Sequence, residues 1–324
     1  MGFARIYKKG AEMAEVTSYS EMRRNFYAKY QQTIVPCVQK YEKERKIKLA
    51  FACTAATILS ILGLFCLLGL FVAKGDSDVI EASLKGTTLF FCLAWGEWYM
   101  IKKGFEDKIK EKIMPTVCSC FEHLIWSNKS DYRMQDYVSS YVIPSYTSSS
   151  SDDIFRGVHK NINFEVVELE LIRGSGKNRT TIFDGVIIKF DMNKDFSSHT
   201  LITPDTLLHQ VPTSELRHTT LEDVQFEKKF DVFTNDEVEA RYLITPTFME
   251  RLKAMKTAFK ADKIRCAFYG NLLLVALSTK KDLFSLCSLV KPIDDTQQYF
   301  QMYEEIVSIV KLIDHFKLDQ KIGL

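Results

Sequence analysis

The sequence predicts an α+β protein built on a membrane anchor. An N-terminal transmembrane helical hairpin with a helical stalk is followed by a soluble domain of antiparallel strands and helices. Three observations lead there. Residues 49–73 run for 25 positions without a charged side chain. Beyond residue 160 the apolar spacing turns to alternation, with turn residues between the alternating runs. No regular strand–helix–strand alternation appears, which argues against a doubly wound nucleotide-binding fold.

Residues 1–48 form the predicted cytoplasmic N-terminal helix. It is helical from a Ser/Thr-rich cap at Thr17–Ser20, with Met22, Phe26, Tyr30, Ile34, Cys37 and Val38 at helical spacing. Pro36 should kink or interrupt it. The hairpin occupies 49–101. At about 1.5 Å per residue, Leu49–Ala73 is long enough to span a hydrocarbon core of about 30 Å. It starts too late and runs too long for the core of a cleaved signal, so it is an uncleaved anchor. A second stretch, Gly86–Ile101, contains Glu97; extended back past Lys85 and Glu81 it reads as a second span, about 80–101. An interfacial helix is the alternative. Trp95, Trp98 and Tyr99 followed by Lys102 and Lys103 resemble an aromatic belt with a cationic stop. Glu97 reads as a solvated interfacial carboxylate, with a proton or ion path as the competing reading. Eleven Lys or Arg precede the first span, and Lys102, Lys103, Lys108, Lys110 and Lys112 follow the second. The connection carries only Lys74 and Lys85, beside Asp76, Asp78 and Glu81. The positive-inside rule then puts both flanks and both termini in the cytoplasm.

Residues 102–139 are the predicted stalk helix, with Phe105, Ile109, Ile113, Met114, Val117, Phe121, Leu124 and Ile125 on its packing face and an interruption at Pro115. Residues 140–153, SYVIPSYTSSSSDD, read as a Ser-rich linker with Val142, Ile143 and Tyr146 as anchors. Residues 154–324 form the α+β domain. Strands are predicted at Ile162–Ile172 and Thr180–Met192 around a turn at Gly174–Asn178, with Gly185 marking a bulge or a close backbone approach. A short strand follows at His199–Ile202 and another at Phe230–Phe233. Asn235 or Asp236 caps a helix through Tyr242, and Thr245-Pro246 opens the next. Ile264–Tyr269 and Leu272–Leu277 flank a Gly270-Asn271 turn. A helix from Asp295 to Phe316 closes the chain, with a stripe from Tyr299 to Ile313.

These segments resemble a bacterial family of two-span membrane proteins, the domain of unknown function 3137 family. The resemblance rests on Phe155-Arg-Gly157, Ile162–Leu169, Phe183–Phe190, the Leu221–Phe230 stretch and the block from Asp236 to Leu252. It implies a bacterial cytoplasmic (inner) membrane protein with a cytoplasmic domain, and no activity or cofactor. The Ser-rich 147–151 segment departs from the small apolar sequence expected there.

The chemistry of the chain is sparse. A net charge of +2 implies no polyanion partner for the molecule as a whole. Eight cysteines without a CxxC pair read as thiols in a reducing compartment, with a Cys118-Ser-Cys120 chelate as the lesser alternative. Walker, HExxH, GxSxG and kinase signatures are missing. The six histidines share no metal-binding spacing. The best constellation is carboxylates: Asp184, Asp191, Glu222, Asp223, Asp236 and Glu239, with Arg241. Two or three of these converging would bind a divalent metal and activate water. In the competing reading Asp236 is a helix cap, Glu239 and Arg241 are exposed, and Arg241 pairs with Glu250. Phe183, Phe190, Phe226, Phe230, Phe233 and Phe248 read as one core.

The expected function is a non-enzymatic, membrane-tethered scaffold or binding module whose cytoplasmic domain contacts a partner protein or lipid headgroups. The alternative is a membrane-attached metal-dependent hydrolase using Asp184, Asp191 or Asp223. No resident metal or other cofactor is expected. The bilayer, a protein partner and a second copy of the chain are the expected partners. Nucleic acid is not, because basic and aromatic residues do not interleave in the strands.

Overall fold

The computed structural model describes residues 19–73, 75–121, 123–128, 131–192, 194–204, 215–221, 223–279, 284, 286 and 288–316. Lys74, His209, Glu222, Cys287 and the Thr17–Ser18 part of the expected cap lie outside the described residues. The chain divides into two compact units. One contains Ser20–Cys120 with Ser285–Gln298; the other contains Phe121–Phe284 with the chain from Tyr299.

In the helical unit, α1 (Tyr19–Lys29) passes through one π turn, Tyr30–Ile34, into α2 (Val35–Val72). Pro36 lies in the first turn of α2, where its missing N–H is tolerated. The chain widens by a π turn just ahead of it instead of breaking. Asp76 then caps α3 (Ser77–Cys118), its carboxylate accepting from the N–H groups of Asp78 and Val79. The two long helices run antiparallel. Lys108 pairs with Glu44 at 2.9 Å, the Lys48 ammonium lies 5.5 Å from the Phe105 ring centre, and Thr87 Oγ1 donates to the Gly63 carbonyl at 3.3 Å. Small residues allow the approach: a Cβ at Gly69 would come 2.5 Å from Ser83 Oγ, and one at Gly86 would come 3.0 Å from Cys66 Sγ. Phe26, Tyr30, Ile34 and Val38 are buried, as are Phe105, Ile109, Ile113, Met114 and Val117, at the positions the sequence spacing predicts.

Several expectations need correction here. Helix α3 passes through Pro115, which falls in its last turn, and ends at Cys118, so the stalk does not reach residue 139. One helix among the described residues, Ser20–Val72, is long and apolar enough to cross a membrane, not two. The equivalent part of α3 is diluted by Lys85, Glu97, its threonines and its Trp and Tyr residues. Both carboxylate oxygens of Glu97 are buried and without a hydrogen-bond partner among the described residues, so it is not the solvated group expected. The seven described cysteines, Cys118 and Cys120 included, are thiols outside any disulfide.

The helical unit also holds a strap that no sequence pattern announces. Glu42 and Arg45 are buried and pair through two contacts of 2.7 Å. Arg45 Nη1 donates to the Leu289 carbonyl at 2.9 Å, Ile293 N donates to Glu42 Oε2 at 3.1 Å, and Leu289 N donates to Glu106 Oε1 at 3.1 Å. The hydrogen bonds from Arg45 hold the Glu42 carboxyl below the usual range, against its burial.

The second unit is built on an antiparallel sheet. Its described strands are β1 (Leu124–Ser127), β2 (Ser148–His159), β3 (Ile162–Arg173), β4 (Thr180–Asp191), β5 (Thr200–Pro204), β6 (Arg217–Thr219), β7 (Phe230–Thr234), β8 (Lys263–Tyr269) and β9 (Leu272–Ser278). Their order is β1-β2-β3-β4-β9-β8-β5-β7-β6. The short helix α4 (Met134–Ser139) follows β1. Later come α5 (Val224–Glu227), α6 (Glu237–Leu243), α7 (Pro246–Ala258) and α8 (Thr296–Phe316). The architecture is α+β, as predicted.

Ser148–Ser151, expected in a linker, pair with Leu169–Ile172 as the first half of β2. The β2–β3 turn uses Lys160 and Asn161, both at positive φ (48° and 64°), which suits the right-handed twist of a hairpin. At Gly185 the structure shows close approach: a Cβ would collide with the Leu277 carbonyl oxygen of β9. The central strands are covered on both faces. Val167, Leu169, Ile187, Leu274 and Ala276 pack with Tyr137, Val142 and Ile143 on one face. The alternate residues Val166, Ile188, Phe190, Leu273 and Val275 are also buried. All six phenylalanines expected in the core are buried.

Candidate functional site

Strand register assembles a charged cleft. Arg156 pairs across the sheet with Glu165, and Glu165 with Lys189, so β2, β3 and β4 present the three side chains in one row. Two residues further on, Asn163 and Asp191 form the next row on the same face. The α4 segment contributes Asp136. The β8–β9 turn contributes Gly270 and Asn271, and Asp131 and Arg133 complete the charged rim. The cleft encloses about 840 Å³, within the size range of small-ligand sites.

Glu165 is the hub. Its Oε1 accepts from the Tyr137 hydroxyl at 3.0 Å and pairs with Lys189 Nζ at 3.1 Å. Its Oε2 accepts from Arg156 Nε at 2.8 Å. Arg156 Nη2 also donates to Asp131 at 2.8 Å, and Lys189 Nζ to Asp136 at 3.1 Å. Burial works against the charge of Arg156 and Lys189, but these carboxylates outweigh it and hold both pKa values above their ordinary range. Burial, then Glu165, pushes the Tyr137 phenol up. Burial also pushes the Asp191 carboxyl up, opposed by Lys189 and by a hydrogen bond from Asn163. The lining therefore offers fixed donors, fixed acceptors and one carboxyl whose pKa burial raises. Next to the cleft, His199 is held by a 2.9 Å contact from Nε2 to the Ser140 carbonyl and by rings of Tyr141 and Tyr269, and burial lowers its pKa.

Of the described acids singled out in the sequence, only Asp191 lines this cleft. Asp184 is exposed on the same strand, seven residues away, or roughly 23 Å at the usual strand rise. Asp223 accepts from the Phe226 N–H at the start of α5. Asp184, Asp191 and Asp223 are thus not brought together. Asp236 caps α6, accepting from Val238 and Glu239. Arg241 pairs with Glu237 at 3.7 Å rather than with Glu250. Glu239, expected on an exposed face, is buried and accepts from Ser197 and Ser198. Burial opposes its charge, but those bonds hold its carboxyl below the usual range.

A different acidic group does converge. Oxygens of Asp152, Asp153 and Glu168 lie within 4.8 Å of one another, where the β2–β3 register shifts after Ser151. Trp126 Nε1 donates to Asp153 Oδ1 at 2.5 Å. Of the three, Asp152 is exposed, Glu168 half-buried and Asp153 buried. The only sequence signal for it was the Asp152-Asp153 pair after the serine run.

Comparison with known proteins adds a family match over part of the chain and little else. Residues 181–318 match the family described as "Protein of unknown function (DUF3137)", and the match supports membership of that family. No curated protein matches the chain. The chain is similar to a solved structure, the crystal structure of the mycobacterial trehalose monomycolate transport factor A, TtfA. The likeness has 9% identity and a TM-score of 0.35, and covers 59% of this chain and 88% of that one. A likeness at so low a score says nothing of what this chain does.

Proposed function

We propose that this chain, whose residues 181–318 match the DUF3137 family of unknown function, is a membrane-tethered binding module. The α2–α3 hairpin sits in the cytoplasmic membrane of a bacterium, and the sheet domain binds a partner protein through its charged cleft. The carrying observation is the surface of the hairpin. Large apolar side chains stand outward along both helices, with Phe71 83% and Trp95 75% exposed. A run of this length would be unstable against water and is favourable against lipid. Helix α2 supplies the crossing. Helix α3 returns beside it, using its small residues for contact and its aromatic end near Lys102 and Lys103 as the interfacial belt. The excess of Lys and Arg on both flanks supports cytoplasmic termini.

For the cleft, mixed charges fixed by mutual pairing favour recognition of a polar partner segment over chemistry on a substrate. The hydrolase alternative retains Asp191 alone, since Asp184 and Asp223 lie elsewhere. The test is in-cell photocrosslinking from a residue on the cleft rim, Asn271, in the full-length chain. A protein captured reproducibly, and lost in Lys189→Met but not in Asp191→Asn, supports the binding module. Capture that is indifferent to Lys189 rejects the cleft as the binding surface.

A further inference from the structure

A second concavity in the sheet domain has the opposite character to the cleft. It encloses about 450 Å³, and five lysines line it. Lys228 and Lys229 come from the turn after α5, Lys253 and Lys256 from α7, and Lys263 from the first position of β8. Phe230 and Ile264, both buried, are also in its lining. Among the described residues, the one acidic lining residue is Asp262.

The contrast with the cleft decides what this groove is for. In the cleft, Arg156 and Lys189 are each neutralised by two carboxylates at hydrogen-bond distance. In the groove, none of the five ammonium groups makes an ion pair among the described residues. Lys253 instead lies 5.9 Å from the Phe226 ring centre. On a chain with a net charge of only +2, three separate segments bring five like charges together, opposed among the described residues by one carboxylate. Like charges so gathered repel one another, and a multiply charged anion relieves that repulsion. Lysine is a point-charge donor without the planar fork of arginine, which suits phosphate oxygens.

We infer that this groove is a binding site for a phosphate-bearing polyanion. The site does not depend on the hairpin lying in a membrane or on the cleft binding a partner. Its phosphate can come from a soluble diphosphate or from the headgroup of an anionic lipid.

Lysine acetylation footprinting of the full-length chain in lipid nanodiscs tests it. In phosphatidylcholine discs, pyrophosphate should slow acetylation of Lys228, Lys229, Lys253, Lys256 and Lys263 together, several-fold relative to sodium chloride of equal ionic strength. The exposed Lys177 serves as the unprotected reference. In discs containing phosphatidylglycerol, the same protection without pyrophosphate identifies the headgroup as the source; protection by pyrophosphate alone identifies the soluble anion. The charge-reversed variant K253E/K256E should return Lys228, Lys229 and Lys263 to the reference rate. Five lysines that react like Lys177 in both kinds of disc overturn the proposal, as does protection that survives the charge reversal.

Discussion

Glu165 holds Tyr137, Arg156 and Lys189 with two oxygens, and its removal leaves each cation with one carboxylate, Asp131 or Asp136, and the buried Tyr137 hydroxyl without its acceptor. Glu165→Ala should therefore cost about 1–3 kcal/mol, the usual penalty for leaving a buried donor unsatisfied. A denaturation midpoint of the full-length chain reads this directly, and a cost below about 1 kcal/mol, the worth of an exposed pair, would contradict the network. Glu305 on α8 makes a second residue-scale prediction. It is buried, its Oε1 accepts from Gln301 at 2.9 Å, its Oε2 has no partner among the described residues, and burial pushes its carboxyl up to about 7. A raised carboxyl binds its proton more tightly in the folded state, so stability falls as pH rises from about 4.5 to about 7 and is flat above. Glu305→Gln should remove that slope from a thermal-denaturation series. An unchanged slope would show that Glu305 does not titrate in this window. The cleft shows what a sequence reveals at this scale. Asp191 stood out as an acid, but Arg156, Glu165 and Lys189 are separated along the chain and become one row only through the register of three strands.

At the scale of elements, Gly185 is the sharpest constraint. Any side chain there would drive into the Leu277 carbonyl of β9, and the backbone φ of +153° adds strain. Gly185→Ala should destabilise the sheet by about 3 kcal/mol or more, seen as a lowered denaturation midpoint with faster amide exchange at Val186 and Leu277. Tolerance of alanine would mean that β4 and β9 do not approach as described. The strap at 285–298 carries a parallel prediction. Glu42→Ala leaves Arg45 buried beside Leu289 without its carboxylate, and proteolysis within the strap should accelerate relative to the wild-type chain. Strands with strong alternation and helices with good caps were legible in the sequence: β8, β9, α6 and α7 fall where Gly270-Asn271, Asp236 and Thr245-Pro246 indicate. What stayed hidden were features set by tertiary pairing. The serines of β2 carry no strand signal of their own and are ordered by the neighbouring β3. The strap has no periodicity at all. Pro36 and Pro115 signalled interruption, yet both lie in terminal turns of long helices. Pro36 falls where a missing N–H costs little, and Pro115 comes only three residues before α3 ends.

For the whole molecule, an apolar hairpin is joined to a domain with two unlike charged concavities. The long apolar helix was readable from Leu49–Ala73 because an uncharged run is a property of local composition. The second helix was less so, since its polar positions are interpretable only beside α2: Thr87 reaches the Gly63 carbonyl, and Gly86 makes room for Cys66. The domain's charged cleft was unreadable because it resides in which strands are neighbours. The central claim is the tether, and alkaline carbonate extraction of membranes from cells expressing the full-length chain tests it most directly. A hairpin set in the bilayer keeps the protein in the carbonate pellet until detergent releases it, while a chain lacking residues 49–101 is found in the soluble fraction. A full-length chain that carbonate strips into the supernatant, or that never sediments with membranes, would contradict the tether.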